Sequence, residues 1–185
     1  ATAAESATSF AANPTATEPT ERARQLISQL NSLKLENGQI PGDSIDVFRA
    51  KLLELQGIDV AAIPAMEEFF HRGDNVRYDS GAGTNLLSAP TLRLALMQLL
   101  LDVTLPDNEE FQARLIQSVT DPEEVALLAK QLEIAVPGHY RSIIVDAVKA
   151  SLGMVQNGKY PGANTTPLLK LLEKLGAMNT LEPDP

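Results

Sequence analysis

Two glutamates and a histidine stand close together at Glu67, Glu68 and His71. Glu68 and His71 have the Glu-x-x-His spacing that carboxylate-bridged di-iron bundles use, and it puts both side chains on one helical face. With Glu67 four residues before His71, a two-ligand metal half-site is sterically possible. A di-iron centre needs a second such pair, and no glutamate lies three before His139, the other histidine. The alternative is a solvated helix end at which His71 and Arg72 favour the negative pole of the helix. His139-Tyr140, after Pro137-Gly138, is read either as an acid–base pair in a cleft or as a helix-start residue beside a half-buried aromatic. Ser, His and Asp are all present, but no Gly-x-Ser-x-Gly elbow provides a nucleophile context.

Gly81, Gly83 and Asn85 lie in a Gly-rich break with Asp79 and Ser80. Such a stretch cradles phosphate only with a strand before it and a lysine or helix N-terminus beside it. A helix is expected to restart near Ser88, but no strand and no lysine is nearby. The better reading is a surface loop on a rigid scaffold, where binding determinants concentrate. Arg72-Gly73-Asp74 is the tripeptide some adhesion receptors read, yet a turn glycine followed by a capping aspartate accounts for the same residues. Asn164-Thr165-Thr166 fits a glycosylation sequon, and Thr166 equally fits a helix cap.

Composition narrows the possibilities. The 185-residue chain has no cysteine, which removes disulfides, thiolate metal sites and thiol catalysis. Its net charge of −9 disfavours phosphate backbones and anionic lipid, so nucleic acid is not an expected partner. No apolar run approaches the roughly 20 residues of a bilayer span, since Leu92–Val103 is interrupted by Arg93, Gln98 and Asp102. Trp is absent and aromatics are few, so the core must be Leu, Ile, Val and Ala, which suits helix-on-helix packing.

Apolar residues recur at helical spacing along most of the chain. Residues 1–19 are Ala/Thr-rich and predict a tail or linker, or the remnant of a secreted or tethered protein, with a lean toward an extracytoplasmic location. One helical domain is expected over 20–176 and a polar tail over 177–185. The first helix is predicted from about Pro19 to Leu35, capped by Thr17 or Thr20 and left through Gly38. A second follows Asp43 or Ser44 and ends at Gly57. Asp59 should cap a third carrying Ile63, Met66, Phe69 and Phe70. Further helices are expected from Ser88 or Ala89-Pro90, over Glu109–Val119, after the Asp121-Pro122 pair, over Tyr140–Leu152 and over Pro167–Leu175. No strand-period segment competes.

Ala62-Ile63-Pro64-Ala65 and the corner residues Asp74, Val76 and Arg77 resemble the two signatures of a HEAT-type repeat. Asp121-Pro122-Glu123-Glu124-Val125 repeats the corner, at a period of about forty residues once about ten are allowed for the Asp79–Leu87 loop. Ala126 stands where that second corner would carry arginine, and residues 1–35 match no repeat. The resemblance implies an all-α fold of antiparallel helix pairs, stacked as a short α-solenoid or an irregular helical bundle. It also implies that Arg77 hydrogen-bonds within the stack.

The function expected is a non-catalytic module that binds another protein or peptide of basic or mixed charge, with no cofactor. Its contact residues would be Glu67, Glu68, Arg77, Asp79, Ser80, Gly81, Gly83 and Asn85. The alternatives are an envelope-tethered assembly domain and a small metal-binding or hydrolytic enzyme using Glu68 and His71.

Overall fold

A computed structural model describes residues 18–36, 40–77, 89–102 and 108–177. Among these residues the fold is all-helical, without a β-strand. The helices are α1 Glu18–Asn31, α2 Gly42–Ile58, α3 Ile63–Arg72, α4 Leu92–Asp102, α5 Asn108–Ser118, α6 Pro122–Ala135, α7 Arg141–Gln156 and α8 Thr166–Lys174. A 3-10 turn, Asp59–Ala62, links α2 to α3.

Each helix is held by its own apolar stripe. In α1, Ala23, Leu26, Ile27 and Leu30 are buried, and α6 buries Val125, Leu128, Ala129 and Leu132. These i, i+3, i+4, i+7 spacings put the side chains on one face, where burial of each large aliphatic group contributes roughly 1.5–3 kcal/mol. α4 departs from this pattern because Leu92 through Met97 are buried without a break. α1 packs on α2 and α3, while α5, α6, α7 and α8 pack among themselves, and α4 touches α3 and α6. Every extensive helix–helix contact therefore joins helices adjacent or next-but-one in the chain.

Several helix ends differ from the sequence-based expectation. Thr20 lies inside α1, buried, and its Oγ1 donates to the Ala61 carbonyl at 2.9 Å instead of capping. That helix closes at Asn31, and Gly38, the exit expected for it, lies outside the described residues. Asp43 and Ser44 sit in the first turn of α2 behind Pro41, and no side chain caps that end. Gly57 is helical, and the chain turns instead at Asp59, whose φ of 57° and ψ of −135° are strained for a residue with a Cβ.

Asp74, Val76 and Arg77 do not open a helix. Val76 accepts from the Leu92 N–H at 2.9 Å, and Arg77 forms an isolated antiparallel bridge with Thr91. α4 is capped by Thr91, whose Oγ1 accepts from the Leu94 N–H at 3.2 Å. Ser88 lies outside the described residues. At the last helix Asn164, not Thr166, supplies the acceptor, taking the Thr166 N–H at 3.1 Å.

Other ends follow the expected chemistry. Gly73, at φ 74°, terminates α3 in a left-handed turn that a Cβ disfavours. Asp121 caps α6 by accepting from the Glu123 and Glu124 N–H groups at 2.9 and 3.4 Å, with Pro122 at the first position.

Candidate functional site

Of the expected contact residues, the described ones, Glu67, Glu68 and Arg77, do not share one site. Glu68 is half-buried on α3 and accepts a forked set of bonds from Arg24 on α1, at 2.7 to 3.1 Å. Hydrogen bonding from Arg24 holds its carboxyl below the ordinary carboxylate range, against the opposing effect of burial. Arg72 adds a looser contact at 3.8 Å. Glu67 is also half-buried and reaches Arg114 on α5 at 4.0 Å. His71 is exposed, and its Nδ1 lies 2.7 Å from the Glu67 carbonyl oxygen. The Glu68–His71 half-site is thus divided, with the carboxylate on an arginine fork and the imidazole on its own helix. Among the described residues no three His, Cys, Asp or Glu side chains gather as a metal cluster. Asp79, Ser80, Gly81, Gly83 and Asn85 lie outside the described residues.

Arg77 is exposed and enters a cleft of about 230 Å³. The cleft is lined from three separate inter-helix corners. Arg77 comes from the α3–α4 corner, Asp121 and Glu123 come from α5–α6, and Lys159, Tyr160 and Asn164 come from α7–α8. The α5–α6 and α7–α8 walls are tied together, because the Thr120 and Tyr160 hydroxyls lie 2.9 Å apart and Lys159 Nζ donates to Thr120 Oγ1 at 3.4 Å. The same ammonium sits 5.4 Å from the Tyr160 ring centroid, a cation–π distance. Two cations, two carboxylates and one aromatic ring line the same cleft, a surface suited to mixed charge.

Arg93 is an arginine that hydrogen-bonds between helices. Its Nε and Nη2 donate to the two carboxylate oxygens of Glu124 at 2.8 and 3.1 Å, and its Nη1 donates to the Phe70 carbonyl at 3.0 Å. The guanidinium also lies 5.3 Å from the centroid of the Phe70 ring. Both charged side chains are buried. Burial pushes the Glu124 carboxyl up, and hydrogen bonding from Arg93 partly offsets it. In the sequence Arg93 is visible only as a charge interrupting an apolar run. A buried charge requires a partner, and that requirement is the signal which could have found the pair.

His139 lines a more open cleft of about 490 Å³, with Arg141, Ser142 and Asp146 from α7 and Gly176 and Ala177 beyond α8. Its ring meets Tyr140 edge-on at 4.6 Å. Arg141 Nε and Nη2 both donate to the Leu175 carbonyl, at 2.9 and 2.6 Å, which satisfies the C-terminal end of α8. Arg141 in this cleft therefore serves the fold. No family model, curated protein or solved structure matches the chain.

Proposed function

We propose that this protein is a non-catalytic interaction module made of HEAT-like helix pairs, and that it takes a segment of another protein along the edge formed by its inter-helix corners. The observation that carries the reading is that three successive corners line one cleft. Stacked helix pairs place equivalent corners side by side, since each pair buries its apolar face only against the next. Extensive contacts between adjacent and next-but-one helices support the same stacking.

Charge sets the kind of partner. A net charge of −9 favours approach by a basic or mixed-charge segment, and Arg77, Lys159, Asp121 and Glu123 offer both signs within the cleft. Tyr160 supplies the aromatic ring on which such a segment can anchor. Glu67 and Glu68 are engaged with Arg114 and Arg24, so the partner contacts the corner cleft and not these two carboxylates. The reading is tested by affinity capture, identification of the captured protein and titration of that purified partner. Tyr160→Ala, the pair Arg77→Glu with Lys159→Glu, and removal of residues 80–85 are the variants. At least a tenfold loss of affinity is expected for each of the first two. Wild-type affinity in all three variants overturns the reading.

A further inference from the structure

We infer that α1–α3 form a separately opening unit, held against α5–α8 across a seam that Arg93 latches, and that the corner cleft is complete only while this seam is closed. The helix contacts carry the division. α1, α2, the 3-10 turn and α3 pack on one another, and α5 through α8 do the same. Among the described residues α4 is the helix with extensive contacts to both groups, through α3 and α6. The ion pair from Glu67 to Arg114 crosses directly, but at 4.0 Å and with the Arg114 side chain 65% exposed. Such a pair is worth little.

Arg93 crosses the seam in a different way. One guanidinium holds the last turn of α3 through the Phe70 carbonyl and the first turn of α6 through both oxygens of Glu124. A buried, forked contact of this kind has one good geometry, so it specifies how the two units meet even where it adds little net stability.

Thr20 and Arg24 tie α1 to the 3-10 turn and to α3, and α2 is the loosely held element of that unit. α2 buries Phe48, Leu52 and Leu55 along a narrow stripe and leaves Val47 and Leu53 exposed. It has no side-chain cap at its start and ends on the strained Asp59. On the other side of the seam the ends are pinned. Asp121 caps α6, Glu133 accepts from the Gly138 N–H, Arg141 closes α8, and Thr120 meets Tyr160. Sub-global opening begins at sparsely buried elements, and α2 buries three of its seventeen residues against seven of fourteen in α6. The cleft has Arg77 from the chain leaving α3 on one wall and Asp121, Lys159 and Tyr160 on the other. Opening the seam separates those walls, so a ligand bridging them favours the closed form.

Native-state hydrogen exchange followed by mass spectrometry on the full chain tests this. In the wild-type protein at low, graded denaturant, amides of 18–72 should open together and at lower denaturant than those of 141–174. Glu124→Gln, which weakens the latch while keeping its shape, should speed exchange in 18–72 about tenfold and leave 141–174 unchanged. A single opening isotherm for all helices in the wild-type protein overturns the inference, and that measurement requires no variant to fold. Equal acceleration in both units of Glu124→Gln overturns the role of Arg93 as the latch.

Discussion

At the scale of single residues the Arg93–Glu124 pair shows how a charge can sit in an apolar helix pair. Each ion alone would cost several kcal/mol to bury, and the fork plus the Phe70 carbonyl offsets most of that. Glu124→Leu should therefore destabilise the protein by about 3–5 kcal/mol, because it strands a buried guanidinium. Adding Arg93→Met should recover most of the loss, leaving about 1–2 kcal/mol from the unpaired Phe70 carbonyl. Urea unfolding of the two single variants and the double variant measures the cycle, and an additive double variant would contradict it. Glu68 has the opposite electrostatics. Its folded carboxyl lies below its ordinary value near 4.5, so its contribution is present above that pH and lost as pH falls through the lowered value. The side chain is 40% exposed, so solvent limits the contribution to roughly 0.5–1 kcal/mol. Stability measured from pH 7 to pH 3 should fall less steeply in Glu68→Gln than in the wild-type protein.

At the scale of elements the helix ends divide into those with good local chemistry and those imposed by packing. α6 has an aspartate cap followed by proline, and Asp121→Ala should cost about 1 kcal/mol. The α2–α3 junction turns at Asp59 in a region that glycine occupies without strain, so Asp59→Gly should stabilise by about 1 kcal/mol. Thermal unfolding checks both, with shifts in opposite directions. Along α2 the buried stripe is narrow enough to separate neighbouring positions. Phe48→Ala should cost about 3–5 kcal/mol, whereas Leu53→Ser, at a residue 67% exposed, should stay within about 0.5 kcal/mol.

At the scale of the whole molecule the dominant feature is that helices pack on their near neighbours in the chain. Such a topology closes short loops before long ones and should refold on a millisecond scale, faster than a β-sheet protein of equal length. Stopped-flow mixing from urea tests this, and a dominant main phase lasting seconds would contradict it. If the corner edge takes a partner as proposed, its association rate should fall as salt is raised, because a net charge of −9 steers the encounter.

The helical class was legible because apolar spacing of 3.6 residues is written locally, as in Ala23, Leu26, Ile27 and Leu30 or Leu168, Leu171 and Leu172. The Asp121-Pro122 start and the Gly73 turn were legible for the same reason, since each acts within a single turn of chain. Residues that work at a distance were not. Arg93 and Glu124 are thirty-one positions apart, Thr120 and Tyr160 forty, and nothing in either neighbourhood names the other. Asp74 and Arg77 carry a helix-opening pattern, yet Thr91 caps the next helix, because the side-chain oxygen nearest the free N–H groups decides where a helix begins. Local pattern determined which segments coil. Only the packed chain decided which corners meet and which charges pair, because those depend on distances that sequence separation does not record.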